Sequence, residues 1–341
     1  MEKEMNHDII ILGEAYGAEE ARELAPFVGP SGWELTRMLD EAGIRRSDCY
    51  LTNVLNLHPP GNDLEALCGP KSLGIPGLPP LRPAKYLGAR FAPELERLAN
   101  ELVEVNPNLV LALGNTALWA LTGKTVISKL RGATVLSTHC ASAFKVLPTY
   151  HPAAVLRQWD LRPIVIIDFI KAKRESAYAD LIRPAREIWI EPTLEDVREF
   201  IENYVRPAPL LSVDIETSGR RITCLGIAPS ERQAIVIPFD DHRRLGNCYW
   251  PTVDIECQVW GLIKGVLEGE TPKVFQNGLY DISFLFRAYG IKVMNAQEDT
   301  MLLHHALQPE SIKDLGFLGA TYADEGAWKT MRGKKTTKRE D

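Results

Sequence analysis

A carboxylate and an imidazole stand where two short apolar runs end, and each could do chemistry there. Residues 9–12, Ile-Ile-Ile-Leu, read as a buried strand, and Gly13, Glu14, Ala15, Tyr16 and Gly17 form the loop at its carboxyl end. An aromatic ring, Phe27, follows inside a tight Pro-Phe-Val-Gly-Pro turn. Residues 146–157 (VLPTYHPAAVLR) repeat the shape: a short apolar run, then His151-Pro152, then a helix start. Ligands of open α/β sheets sit beyond the carboxyl ends of strands, so Glu14, Phe27 and His151 are expected to share one pocket. A second constellation lies in the other half, where Asp214 and Glu216 fall two apart in LLSVDIE. Side chains at i and i+2 of a strand share a face about 7 Å apart, which suits carboxylates that share divalent ions. Asp281 joins them from a helix that opens after VFQNG.

The elements that must position these residues alternate between strand and helix. Residues 32–43 place Trp33, Leu35, Met38, Leu39 and Ala42 at helical spacing, so Trp33 and Met38 read as core, and Gly43 ends the run. Residues 49–55 (CYLTNVL) read as a second strand with Asn53 near its end, by residue type alone a satisfied turn residue. Residues 59–84, rich in Pro and Gly, predict a long ordered loop without secondary structure. An amphipathic helix at 92–105, a buried strand at 109–113 and a helix at 115–121 follow. This alternation predicts an α/β domain with a parallel sheet and helices on both faces. A last helix, 163–179, carries Lys171, Lys173 and Arg174, read as a solvated face ahead of the alternative, a face turned to phosphate. The pattern changes across 183–191, which divides the chain into domains 1–185 and 186–341. Beyond it a helix-start signature at 192–195 opens a helix to about Tyr204, and a strand at 210–216 is followed by two antiparallel strands at 222–228 and 233–238.

Composition narrows the class. The chain has 341 residues, 45% hydrophobic, enough for two domains each with its own core. A net charge of −6 argues against a wholesale basic nucleic-acid binder and leaves room for a local DNA groove. Six cysteines without a CxxC pair suggest neither zinc nor disulfides, but reduced thiols of a cytoplasmic protein. No apolar run approaches the ~18 residues of a membrane span, and MEKEMNHD lacks the features of a signal peptide. GEAYGAEE lacks the spacing of a glycine-rich phosphate loop.

Five stretches carry a resemblance, all in the same order: GEAYG against GEAPG, PFVGPSG, LTNVLNLHPPGN, NPNLVLALGNTAL and LPTYHPAAVLR. Through them residues 8–180 resemble the uracil-DNA glycosylase superfamily, most closely its family 4 type. The resemblance implies that Phe27 stacks on the base, that the amide of Asn53 reads uracil's edge with a donor and an acceptor, and that Gly13, Ala15 and Tyr16 line the substrate. It also implies that Glu14 orients or activates the water that attacks C1′, and that His151 donates to the uracil oxygen that gains charge. Tyr16 stands where the family has Pro, adding bulk at the pocket mouth. Family 4 enzymes hold a four-cysteine iron–sulfur cluster; here the N-terminal pair is missing and Leu57 replaces a third ligand, leaving Cys68, so no iron–sulfur cluster is expected.

Residues 187–330 resemble the DnaQ-like, ribonuclease H-fold 3′–5′ exonuclease domain of bacteriophage-type family A DNA polymerases, with VDIET as first motif and QNGLYD as second. That implies Mg²⁺ or Mn²⁺ held by Asp214, Glu216 and Asp281. The third motif, a Tyr followed four residues later by an Asp, is not found: Tyr322 has Gly326 at that offset, and Asp324 and Glu325 are out of register. The polar end KKTTKRED stands where the family would continue, implying a truncated or split relative of a polymerase. The expected function is uracil or damaged-base excision joined to an exonuclease-like domain, with single-stranded or uracil-containing DNA and a DNA polymerase as partners. The rival expectation is a non-catalytic DNA-binding or polymerase-accessory module.

Overall fold

A computed structural model describes residues 7–141, 143–244, 246–323 and 325. Two compact units emerge, Met1–Ile182 together with Gly316–Asp341, and Arg183–Leu315. The sequence pattern drew one boundary; by packing, the chain crosses between units twice.

In the first unit β1 (Ile9–Ala15), α1 (Ala18–Glu23), α2 (Pro30–Glu41), β2 (Cys49–Leu55), α3 (Ala92–Val105), β3 (Leu109–Leu113), α4 (Gly114–Thr122), β4 (Lys145–Thr149), α5 (Pro152–Arg157) and α6 (Arg162–Glu175) follow one another. The sheet runs β2-β1-β3-β4 in parallel, and Val135–Leu136 pairs antiparallel at the β4 edge. Strands covered on both faces favour apolar residues at successive positions, which is why residues 9–12 and 109–113 are unbroken apolar runs. Ile10, Leu12, Val110 and Val146 pack with Leu98 and Leu102 of α3 and Trp119 of α4. Their neighbours Ile9, Ile11, Leu111 and Leu147 pack with Leu35 and Met38 of α2 and Val165 and Phe169 of α6. Helices therefore cover both faces, and the loops after β1, β3 and β4 open at one end of the sheet.

Three expectations are corrected. Trp33 is not core: it is 62% exposed, while Met38 is fully buried. At 100° per residue Trp33 points 140° or more from Met38 and Leu35, on the opposite side of α2. Lys171 does not face solvent: it is buried, and its ammonium donates to the carbonyls of Gly132 and Ala320 (2.9 Å to the latter). Those carbonyls supply what water would have supplied. Residues 59–84 are not bare loop, because short 3₁₀ turns at Pro60–Asn62, Leu64–Leu67 and Lys71–Leu73 bury Leu64 and Leu67, and Cys68–Gly69 pairs with Tyr86–Leu87. Trp119 pins the loop by donating its indole N–H to the Pro79 carbonyl at 3.0 Å.

The helix Leu315–Tyr322 belongs, from Gly316 on, to the first unit. Phe317, Leu318 and Ala320 are buried there, and the Arg131 guanidinium lies 4.6 Å above the Phe317 ring. Arg131 also donates to the Thr321 hydroxyl at 3.3 Å and pairs with buried Asp168, which accepts from Thr149 at 2.6 Å.

The second unit is built on a six-stranded mixed sheet, as the resemblance to the ribonuclease H-like (α/β, mixed sheet) exonuclease fold implies. α7 (Leu194–Phe200) begins with a capping box, Thr193 accepting from the Asp196 amide at 3.2 Å and returning its own amide to the Asp196 carboxylate at 2.8 Å. β5 (Leu211–Ser218), β6 (Arg221–Ala228) and β7 (Gln233–Pro238) form an antiparallel meander. α8 (Val253–Leu267), β8 (Lys273–Phe275), α9 (Leu279–Tyr289) and α10 (Thr300–Leu307) complete it. β8 runs parallel to β5 on one side and to Ala296–Asp299 on the other, and Glu187–Trp189 lies parallel outside β7. Leu211, Val213 and Ile215 turn into a core with Val259, Ile263 and Leu285, so the alternate residues Ser212 and Asp214 face outward. Among the described residues no helix is long and apolar enough to cross a membrane.

Candidate active site

Gly13 of β1 pairs across the ladder with Asn53 of β2. A side chain at Gly13 would run into the Asn53 carboxamide and come within 2.6 Å of the Phe27 ring. Only glycine lets an amide and an aromatic ring close on the same spot. Asn53 is 2% exposed, and its Nδ2 has no hydrogen-bond partner among the described residues. Leaving such a donor unsatisfied costs about 1–3 kcal/mol, a cost that an incoming ligand oxygen removes. The end of β2 is held rigid for this purpose. Arg97 donates to the carbonyls of Asn53 at 2.7 Å and Val54 at 3.2 Å and to the Thr52 hydroxyl at 3.2 Å, its charge met by Glu94 and Glu101.

Phe27 brings its buried ring to 6.0 Å from the His151 ring, the planes 28° apart. His151 caps α5, its Nδ1 accepting the Ala153 amide proton at 3.1 Å. An Nδ1 that accepts leaves the ring proton on Nε2, so His151 is a neutral donor. Burial pushes its pKa down to about 4, with Glu14 opposing and Arg157 adding to the depression. Glu14 is half-buried and accepts the Thr116 hydroxyl from the start of α4.

A pH dependence follows from these shifts. Unfolded, His151 titrates near 6.5; folded, near 4. The unfolded chain binds more protons between those values, so the contribution of His151 to stability is complete above about 6.5 and is lost as pH falls toward 4. Nitrogen NMR of His151 should show a neutral Nε2–H tautomer at pH 6. A ring titrating near 6.5 would overturn the assignment.

Of the residues named from sequence, Gly13, Glu14, Phe27, Asn53 and His151 meet at the carboxyl end of the sheet, and Ala15 lies two residues beyond Gly13, opposite Leu55. Tyr16 is buried, its amide donating to the Leu57 carbonyl at 3.0 Å. Burial raises its phenol pKa, and the charges it feels next are Arg97, Glu101 and Glu94. Thr116, Arg97, Glu20 and Arg46 went unnamed. The only local signal for Thr116 was its place just after a strand end, in LGNTAL.

All six cysteines are free. Cys68 and Cys140 donate to the carbonyls of Leu64 at 3.7 Å and Leu95 at 2.9 Å, and burial pushes Cys140 up to about 11. No three His, Cys, Asp or Glu side chains among the described residues come together so as to hold a metal. The cysteines of this chain therefore do not fit an iron–sulfur cluster.

The second unit fares alike. Asp214 and Glu216 stand opposite the core-facing side of β5. Asp281 of α9 is buried and accepts the Ile215 amide proton at 3.1 Å. Burial pushes the Asp281 carboxyl up to about 6; the Ile215 amide opposes this, and the charges of Asp214 and Asp299 add to it. Asp299, unnamed from sequence, caps α10 and accepts the amide protons of Asn277 at 3.1 Å and Gly278 at 2.8 Å. As they stand, the expected ligands Asp214, Glu216 and Asp281 do not fit a ready-made two-ion centre. Glu325 gives its amide to the Gly319 carbonyl at 3.0 Å, and Asp324 lies outside the described residues.

Comparison with known proteins bears on both units. Residues 2–181 match the family model of the uracil DNA glycosylase superfamily, and residues 187–339 match that of a 3′–5′ exonuclease. The type-4 uracil-DNA glycosylase of Thermotoga maritima is 35% identical over 174 residues, spanning 48% of this chain and 76% of that protein. The type-4 enzyme of Archaeoglobus fulgidus is 32% identical over 169 residues, 48% of this chain and 74% of its own. Among solved structures, Brucella melitensis NrnC with bound Mg²⁺ aligns with a TM-score of 0.28 at 16% identity over 42% of this chain, which spans 62% of NrnC. The Aedes aegypti Nibbler EXO domain aligns at 0.34 and 13% identity over 48% of this chain and 81% of that one. Likenesses that distant say nothing about activity. With more than half its length matched to the family, and relatives above 30% identity covered over more than two thirds of their own length, the chain belongs to the uracil DNA glycosylase superfamily.

Proposed function

We propose that the first unit hydrolyses the glycosidic bond of uracil in DNA. One observation carries the reading: a buried, unpartnered Asn53 Nδ2 beside a glycine whose missing side chain admits the Phe27 ring. An extruded uracil lying on Phe27 would accept from Nδ2 and donate its N3–H to Oδ1, satisfying both halves of the amide. Stacking on an aromatic ring contributes about 1–3 kcal/mol toward offsetting the cost of extrusion. As C1′–N1 breaks, the electron pair moves onto the base, where neutral His151 Nε2–H donates to the oxygen that gains charge. Water adds to C1′ and gives its proton to Glu14, which the Thr116 hydroxyl orients. The type-4 names of its relatives support the same substrate. We place this work in the cytoplasm, with DNA as ligand of both units. A DNA polymerase is the proposed partner, and Mg²⁺ or Mn²⁺ the proposed ions of an exonuclease-like second unit once its ligand set is completed.

The test is release of free uracil from a labelled single-stranded oligonucleotide in the presence of a chelator. Uracil is expected, with an alkali-labile abasic site left behind. An intact oligonucleotide would sink the reading.

A further inference from the structure

We propose that Glu20, acting with Arg46, is a positioning residue for the ring that receives the base. The proposal deepens the glycosylase reading and rests on it. Phe27 adopts a left-handed backbone, φ +56°, which a side chain of this size seldom holds unaided. Its carbonyl lies where a side chain on Gly32 would have to be, so any residue but glycine there would displace the turn.

A buried carboxylate and a half-buried guanidinium hold this conformation from either side of the peptide. Glu20, 8% exposed, accepts the Phe27 amide proton on Oε1 at 2.9 Å and the Gly17 amide proton on Oε2. One carboxylate thereby joins Gly17, the residue that caps α1, to the residue that carries the ring. On the other side the Arg46 guanidinium donates to the carbonyls of Phe27 at 2.9 Å, Pro26 at 3.3 Å and Gly32 at 3.2 Å, and to the Thr36 hydroxyl at 3.1 Å. Carbonyls that turn inward in a left-handed bend need such a donor. The brace is charged, and hydrogen bonds from amides to a carboxylate are stronger than those between neutral groups. Neither Glu20 nor Arg46 reaches the base itself. Their work is to keep the Phe27 ring against Gly13 and beside His151 before any base arrives.

A double-mutant cycle separates this role from plain structural support. All variants are compared well below their melting temperatures, with circular dichroism confirming the fold. Glu20→Ala should lower kcat/KM for uracil release about 10- to 100-fold, the scale of a misplaced binding group. In a Phe27→Ala background the same change should cost less than about threefold, because residues acting through one another are not additive. Glu20→Gln retains one oxygen for the Phe27 amide and should fall between wild type and Glu20→Ala. Fully additive losses, or a Glu20→Ala enzyme as active as wild type, would overturn the proposal. A second readout needs no turnover: the His151 ring protons, beside the Phe27 face, should shift in Glu20→Ala. If wild type releases no uracil yet those signals shift, the glycosylase reading fails and the brace stands. If they do not shift, the brace fails.

Discussion

Glu14→Gln is expected to cut uracil release by about 10²- to 10⁴-fold, the range for a positioned acid/base group, while affinity for uracil-containing DNA stays within about threefold. The amide has the same shape and can still accept the Thr116 hydroxyl, so the end of β1 should keep its geometry. What it cannot do is take a proton from the attacking water. The loss should therefore sit in kcat, since binding relies on Phe27 and Asn53 instead. Asn53→Asp is the contrasting control: it replaces a donor by a second acceptor, leaving Nδ2's role unfilled, and should change which pyrimidine is accepted rather than only slow the reaction. Single-turnover rates with an excess of enzyme, alongside fluorescence-anisotropy binding, measure both. Equal, small effects of the two substitutions would remove Glu14 and Asn53 from the site.

Single-stranded DNA should survive prolonged incubation with this chain in Mg²⁺ and be shortened at most slowly in Mn²⁺. Two-ion hydrolysis requires carboxylates that hold both ions close together, and the activation it brings is worth several kcal/mol, a thousandfold or more in rate. Asp214 and Glu216 share one face of β5, but Asp281 gives one oxygen to the Ile215 amide, and no three such groups among the described residues are arranged so as to hold a metal. Mg²⁺ asks for near-ideal octahedral geometry and sheds water reluctantly, so an incomplete set binds it weakly, whereas Mn²⁺ binds comparable sites more tightly. A helix carrying Tyr-x-x-x-Asp, supplied in cis or by a partner polymerase, should restore digestion that Asp214→Ala then abolishes. Robust digestion by this chain in Mg²⁺ alone would sink the argument, and Asp324 and Glu325 would be the first residues to substitute.

What could be read from residue order is what neighbours in the chain decide. Unbroken apolar runs announced strands covered on both faces at residues 9–12 and 109–113, because burial on both faces leaves no room for alternation, although β1 runs on to Ala15 and takes in Gly13 and Glu14, which had read as loop. Alternation in LLSVDIE likewise separated Asp214 from the core, since successive side chains of a strand must point apart. Glu14, Asn53 and His151 could be placed at strand ends, where sheets of this kind open. Periodicity, however, reports which positions are apolar and not what they meet. Trp33 looked like core and is exposed; Lys171 looked solvated and is buried against carbonyls 39 and 149 residues away. The same holds inside the site. Thr116 reaches Glu14 across 102 residues, and Phe27 is gripped by Glu20 seven residues before it and Arg46 nineteen after. The left-handed turn of Phe27, the orphaned Asn53 amide and the return of residues 316–323 to the first unit depend on contacts that exist only once distant segments have packed together.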